Sequence, residues 1–452
     1  MKTSYSPEQL KDPLIASSEA IMRKCVQCGL CTATCSSYVI LGDERASPRG
    51  RITLINRLMK NNETPSRTSV RFLDNCLTCL SCMTTCPSGV DYVHLIDMAR
   101  SRFNKKDRRK LSSRLTRSLL AGLLPYPRRL KTAMQLGRLS RPLANSFQKL
   151  GLTTLVALLE ALPSRTARSP RYEKHTKASG KRKMRVAMLP GCASDLLRPS
   201  INEATIALLS RMGIEVIIPP GLGCCGAIEH QLGEEEKAIR AARRNVDVLT
   251  RLHDEQPLDA IFITASGCGA MLKDYAHLLR NEEGYARRAA DIAHLTKDVT
   301  EILDSITLVA PSQWSDIKVA YHASCSLEHG QKVIDPPRSL LSKAGYTVLE
   351  VPEGHICCGA AGSYALTQPT ISKALLIRKL NNIDKIEPDI IAAGNIGCIN
   401  HMARKSAAPI VHTMELLNWA YGGECPRELK HLESRIQKIS GVMVVSRMDE
   451  YK

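Results

Sequence analysis

Two runs of cysteine that share one spacing govern what this 452-residue chain can fold into. The first, CVQCGLCTATC, places Cys25, Cys28, Cys31 and Cys35; the second, CLTCLSCMTTCP, places Cys76, Cys79, Cys82 and Cys86. Both read C-x2-C-x2-C-x3-C. In such a run a tight loop presents three thiolates to three irons of one cube, while the fourth cysteine starts the next helix and faces a second cube. The spacing therefore predicts two [4Fe–4S] clusters with exchanged fourth ligands. Cluster one takes Cys25, Cys28, Cys31 and Cys86; cluster two takes Cys76, Cys79, Cys82 and Cys35. Structural zinc also uses four cysteines, but usually as paired C-x2-C hooks. Ser36 follows Cys35 where such runs often carry proline, and the ligand itself is intact.

The chain has 17 cysteines. Its N-terminus, MKTSYSPEQLKD, has no basic region followed by an apolar core, so no secretory signal is expected. A reducing compartment disfavours a disulfide framework and leaves metal binding or redox chemistry for these thiols. No run of about eighteen apolar residues occurs, so no membrane span is expected.

After Cys86 there is no cysteine until Cys192, and from there the sequence repeats. Cys192 and Cys325, Cys224 and Cys357, and Cys225 and Cys358 are each 133 positions apart, and Cys268 and Cys398 are 130 apart. RVAMLPGC matches KVAYHASC, an apolar strand running into a helix start. LLSRMGIEVIIP matches LLSKAGYTVLEVP, which reads as a helix, a glycine stop and a second strand. Strands alternating with helices predict two copies of one α/β domain with a largely parallel sheet. The fold class is thus mixed α+β and α/β: a helical two-cluster domain (residues 1–100), a basic helical linker (101–182), two cysteine-rich domains (183–306 and 316–421) and an extension (422–452).

In each copy a lone cysteine, a Cys-Cys-Gly and a Gly-Cys form a candidate redox or metal site, whose loops would converge at one end of the sheet. The residues are Cys192, Cys224, Cys225 and Cys268, then Cys325, Cys357, Cys358 and Cys398. Gly226 and Gly359 permit the sharp turn that paired cysteines need to point one way. Inert buried cysteine is the plain alternative, although packing does not call for Cys-Cys-Gly twice. His322, His329, His355 and His401 are weaker candidates as ligands or proton carriers. GLGCCG (Gly221–Gly226) satisfies G-x-G-x-x-G, but its counterpart GHICCG has Ile356 at the middle glycine, so a dinucleotide site is rejected.

Lys and Arg outnumber Asp and Glu 63 to 44, which predicts an acidic neighbour. From Arg102 to Lys131 there are eleven Lys or Arg and one acid, Asp107. Leu111, Leu115, Leu119 and Leu123 recur at helical spacing, and Pro125 and Pro127 are expected to end that helix. A solvated linker, a partner-docking surface and an anionic lipid surface all suit it. A second basic stretch, Ser164–Arg185, reads as a linker.

These stretches, with LGDERASPRGRITLI, SGCGAMLKDY, GQKV, ICCGAAGSYALTQP and NIGCINH, make the chain resemble the iron–sulfur subunits of bacterial glycolate oxidase (glycolate dehydrogenase) over nearly its whole length. That family joins a two-cluster ferredoxin domain to two CCG domains, which also occur in heterodisulfide reductase and anaerobic glycerol-3-phosphate dehydrogenase subunits. The resemblance implies an electron-transfer subunit with no catalytic residues of its own. A partner flavoprotein would oxidise glycolate to glyoxylate at FAD, and this chain would pass electrons toward membrane quinone. It implies a cytoplasmic protein, peripheral on the inner face of the membrane. Some CCG domains bind a further cluster and end in C-x2-C; here Ala265 and Asn395 stand three residues before Cys268 and Cys398, which weakens that expectation. A lactate or glycerol-3-phosphate dehydrogenase subunit and a thiol–disulfide reductase are the alternatives. A zinc-containing nucleic-acid binder, suggested by charge alone, is set aside.

Overall fold

The computed structural model describes residues 1–104, 109, 111–140, 170, 172–308, 310–311 and 313–438. Part of the basic stretch after Arg102, most of the apolar and polar stretches between 141 and 171, and the tail beyond 438 lie outside the described residues. Two compact units cut across chain order. One comprises Met1–Arg165, Cys224–Ala242 and His355–Lys379; the other comprises Thr166–Gly223, Arg243–Gly354 and Leu380–Lys452.

The first unit is helical. Its principal helices start at capped prolines or serines. Asp12 accepts from the Leu14 N–H (2.9 Å) ahead of Pro13–Arg23, and Ser47 Oγ accepts from the Gly50 N–H (3.0 Å) ahead of Pro48–Lys60. In both, proline occupies the first turn, where no N–H is needed. These helices and Tyr92–Asn104 bury Met22, Ile55, Leu58, Leu95, Ile96 and Ala99 in one core. Short helices lie within the cysteine runs at Leu30–Ala33 and Ser81–Thr84, and Ser36–Leu41 follows the first run from Cys35.

The basic segment contains the expected helix, Leu111–Leu123, and a second one beyond it, Pro127–Leu139. Pro125 follows the first, but Pro127 opens the second from its first position, a placement proline favours. Leu120 and Ala121 are buried against Leu232, whereas Leu115 and Leu119 are exposed.

The second unit holds the strands of both α/β copies. Strands β1 (His175–Thr176), β2 (Met184–Met188), β3 (Ile214–Ile217) and β4 (Ala260–Phe262) form a sheet ordered β1-β3-β2-β4. β2 pairs in parallel with β3 and β4, Val186 lying opposite Val216 and Ala260. After β5 (Gln313–Ser315) the pattern recurs. β6 (Lys318–His322), β7 (Thr347–Leu349), β8 (Ile390–Ala393) and β9 (Ile410–His412) form a parallel sheet ordered β7-β6-β8-β9. The shared order β3-β2-β4 and β7-β6-β8 shows the repeat, including the predicted helix, glycine stop and strand. Ser200–Arg211 leads to Gly213 (φ 84°) and β3; Asp335–Lys343 leads to Gly345 (φ 90°) and β7. Both sheets contribute to one core, with Val186, Val216, Phe262, Val319, Ile390 and Val411 in it. β10 (Ile436–Lys438) pairs antiparallel with β5, so the described part of the extension returns to this unit, and Cys425 packs against its core.

Candidate metal centre

The two cysteine runs adopt the same backbone. Gln27 and Thr78, equivalent positions, have φ of 60° and 54°; Gly29 and Leu80, also equivalent, have 88° and 64°. A left-handed non-glycine residue costs roughly 1–2 kcal/mol, so three such residues here are strain held in place by their surroundings. Gly29 takes this conformation without a side-chain penalty.

Each loop closes on a cavity. One, with about 440 Å³ of space partly open to solvent, is lined by Cys25, Cys28, Cys31 and Cys86, together with Cys82, which lines both cavities. The other, about 320 Å³, is lined by Cys76, Cys79, Cys82 and Cys35. The last cysteine of each run therefore lines the cavity of the opposite run. Leu30, Val26, Ile52 and Val90 wall the first cavity, and Leu77 and Leu80 the second; no carboxylate is among the described residues lining either. Clustered soft sulfur donors without hard oxygen ligands suit iron–sulfur chemistry and do not suit calcium or magnesium.

The thiols feel one another. Burial pushes the Cys31 thiol up to about 11, with Arg49 N–H opposing and Cys35, Cys25 and Cys28 adding to the rise. Burial raises the Cys82 thiol too, helped by Cys79, Cys76, Cys35 and Cys31. Cys76 behaves differently. Burial would raise it, but the Arg51 and Arg100 guanidiniums overcome that and hold it below the ordinary thiol range. The Thr78 N–H lies 3.4 Å from its sulfur and the Tyr92 hydroxyl 3.9 Å.

Neither arginine was singled out from sequence. Arg51 is 1% exposed. Its Nε donates to Phe72 O (2.7 Å), Nη2 to Ser37 Oγ (2.9 Å), and Nη1 lies 4.0 Å from Cys35 Sγ. Arg100, also buried, donates to Thr78 Oγ1 and to Cys76 O, both at 2.7 Å. Ser36, the departure from proline, accepts a hydrogen bond from the Cys357 N–H at 3.0 Å and lies 3.9 Å from Cys79 Sγ.

The cysteines of the repeats fall into both units. Cys224, Cys225, Cys357 and Cys358 belong to the first, all buried. Gly226 (φ 88°) and Gly359 (φ 91°) turn the chain after each pair, and a Cβ at Gly359 would meet Ser372 O at 2.5 Å. Cys192, Cys268, Cys325 and Cys398 belong to the second unit, each following the C-terminal end of a parallel strand (β2, β4, β6, β8). There His322 and Cys398 place ligand atoms within 4.8 Å of each other, and His322 Nε2 has no hydrogen-bond partner among the described residues. The first copy has Leu189 in place of His322. His329 is buried and His355 exposed; His401 is half-buried.

Comparison with known proteins gives independent assignments. The 4Fe-4S dicluster domain family matches residues 24–91, and the cysteine-rich domain family (CCG) matches 186–273 and 319–403. The chain is 36% identical to the glycolate oxidase iron–sulfur subunit of Escherichia coli over 93% of its own length and 99% of the relative's. It is 31% identical to the probable glycolate oxidase iron–sulfur subunit of Bacillus subtilis, over 85% of this chain and 89% of that one. Lactate utilization protein A of Bacillus licheniformis is 25% identical over 52% of this chain and 99% of its own. In fold, the chain resembles a crystal structure of a hypothetical protein from Helicobacter pylori, with TM-score 0.53 and 12% identity, covering 87% of this chain and 71% of the other.

Proposed function

Because this chain belongs to the family of glycolate oxidase iron–sulfur subunits, we propose that it relays single electrons from a flavoprotein partner, which oxidises glycolate to glyoxylate at FAD, toward a membrane quinone. Cys25, Cys28, Cys31 and Cys86 would hold one [4Fe–4S] cluster, and Cys76, Cys79, Cys82 and Cys35 the other. The observation that carries this reading is the exchange of Cys35 and Cys86 between the two cavities.

When bound, such clusters supply reversible one-electron chemistry tuned by burial and hydrogen bonds to sulfur. The residues of this chain supply the rest. The thiolates would fix the positions of the metal, and the burial of Cys35, Cys76 and Cys82 limits the access of water to the second site. The Thr78 N–H and the Tyr92 hydroxyl stand near Cys76 Sγ, where they favour its negative charge. Exposed Cys28 brings one ligand to the surface, where a partner can approach. The cysteines of the repeats would form a further redox or metal site.

No described helix is long and apolar enough to cross a membrane. Leu115, Leu119, Leu136 and Leu139 are nevertheless exposed on the helices Leu111–Leu123 and Pro127–Leu139, beside exposed Arg114, Arg128 and Arg129. Apolar and cationic side chains together suit peripheral attachment to anionic lipid on the cytoplasmic face. The lactate-utilisation relatives favour lactate as the alternative substrate of the partner.

The test is anaerobic purification with its flavoprotein partner. About eight iron and eight sulfide per chain from the two ferredoxin-type sites, together with bleaching of the brown chromophore on adding glycolate, are expected. A preparation without acid-labile sulfide that still passes electrons from glycolate would overturn the reading.

A further inference from the structure

We infer that Arg51 and Arg100 make the cluster position of Cys35, Cys76, Cys79 and Cys82 the stronger electron acceptor of the two, and so set the direction of the relay. The inference rests on the two-cluster reading above.

The two cavities differ in fixed charge. Arg51 lies on the helix Pro48–Lys60 and is 1% exposed, with Nη1 4.0 Å from Cys35 Sγ. Its other donors are occupied by Phe72 O and Ser37 Oγ, so the guanidinium cannot swing away. No carboxylate pairs with it among the described residues. Arg100, on the helix Tyr92–Asn104, is anchored to Thr78 Oγ1 and Cys76 O, two residues that line the same cavity. Asp97, 3.7 Å from Arg100, offsets part of that charge, which leaves Arg51 the larger contributor. The first cavity is lined instead by Arg49, whose side chain is one-third exposed and paired with Glu44. Its charge is screened by solvent and neutralised by its partner.

Adding an electron to four thiolate-held irons raises the negative charge at the site. A buried positive charge at close range stabilises that reduced form, and strongly so in a low-dielectric surround. Deeper burial of the second site acts in the opposite sense, because desolvation disfavours the more highly charged form. The two effects differ in range. Burial acts on the whole site, but part of its penalty is offset by the Thr78 N–H and the Tyr92 hydroxyl beside Cys76 Sγ, at 3.4 Å and 3.9 Å. The unpaired guanidinium at van der Waals distance from a ligand sulfur then decides the order. Electrons would enter at the position nearer exposed Cys28 and settle at the arginine-flanked one.

The experiment is an anaerobic redox titration of the holoprotein, followed by EPR, for wild type, Arg51→Gln, Arg51→Lys and Arg100→Gln. The signal of the second site is identified by its loss in Cys79→Ser, and iron content is measured for each protein. In wild type the second site should titrate at the higher potential. Arg51→Gln should shift its reduction equilibrium at least tenfold toward the oxidised form, about 59 mV for a one-electron couple, with the first site unmoved. Arg51→Lys, which keeps the charge, should shift it by less than that. Where Arg51→Gln loses iron, the wild-type order and the Arg100→Gln shift decide. A second site at the lower potential in wild type, or an iron-replete Arg51→Gln with an unchanged potential, overturns the inference. A wild type lacking both EPR signals sinks the two-cluster reading itself.

Discussion

Gly50→Ala should destabilise the protein, although a helix position would ordinarily gain from the change. Gly50 lies in the first turn of the helix Pro48–Lys60. Replacing a helical glycine by alanine typically stabilises by about 1 kcal/mol. Here the new Cβ would sit 2.0 Å from Glu44 O, 2.8 Å from Glu44 C and 3.1 Å from Arg45 Cα. All three are backbone atoms, so no side chain can rotate away. Overpacking of this kind costs roughly 1–3 kcal/mol and sometimes more. With three close contacts the upper end applies, leaving a net loss of about 2 kcal/mol after the propensity gain. The displaced segment matters to the site, because Ala46 O accepts from Ser37 Oγ at 3.0 Å and lies 3.6 Å from Cys35 Sγ. The assay compares apparent melting temperatures and iron content of Gly50→Ala with those of Gly122→Ala. A Cβ at Gly122 would meet nothing within 4 Å, so that variant should melt at or above the wild-type temperature. A Gly50→Ala protein as stable and as iron-rich as wild type would refute the reasoning.

Two further outcomes follow from charge. His412 is buried and caps the helix Thr413–Ala420: its Nδ1 accepts from the Met414 N–H at 3.1 Å, so Nε2–H donates to Thr264 O at 2.9 Å. Burial pulls its pKa from 6.5 down to about 4. The unfolded chain therefore binds the proton first, and stability present above pH 6.5 is lost as the pH falls toward 4, by roughly 3 kcal/mol in all. The urea midpoint followed by tryptophan fluorescence should drop between pH 7 and 5, and His412→Asn should flatten that drop; an unchanged slope would count against it. Replacing Arg114, Arg128 and Arg129 by glutamine should weaken co-sedimentation with anionic vesicles by about 100-fold, at about 1 kcal/mol per cation. Binding that is indifferent to these changes and to salt would remove the lipid proposal.

The sequence carried the eight N-terminal thiols because ligand spacing is local, and it carried the α/β repeat because strand, helix and glycine recur in register. What it did not carry depends on distant or unpatterned residues. Ser36 meets the Cys357 N–H across 321 positions, which no local pattern encodes. Arg51 had a readable signal. It shares a helical stripe with Ile55 and Leu58, all at most 1% exposed, and a charge on an apolar stripe marks a buried group whose donors must find hydrogen-bond partners. Arg100 lies likewise one turn from Ile96 and Phe103. In sequence Pro127 reads as part of a stop, because proline ends helices more visibly than it begins them, yet its first-turn position here needs no N–H. His412 gave no signal, since histidine is an uncommon cap whose role depends on Thr264 in the other copy.

The interlocking of the two cysteine runs can be tested through single ligand changes read by EPR. If each run donates its last sulfur to the opposite cavity, Cys35→Ser perturbs the same signal as Cys79→Ser, and Cys86→Ser the same signal as Cys28→Ser. A Cys35→Ser spectrum that instead matched Cys28→Ser would mean that each run keeps its own metal, contrary to the exchange described above.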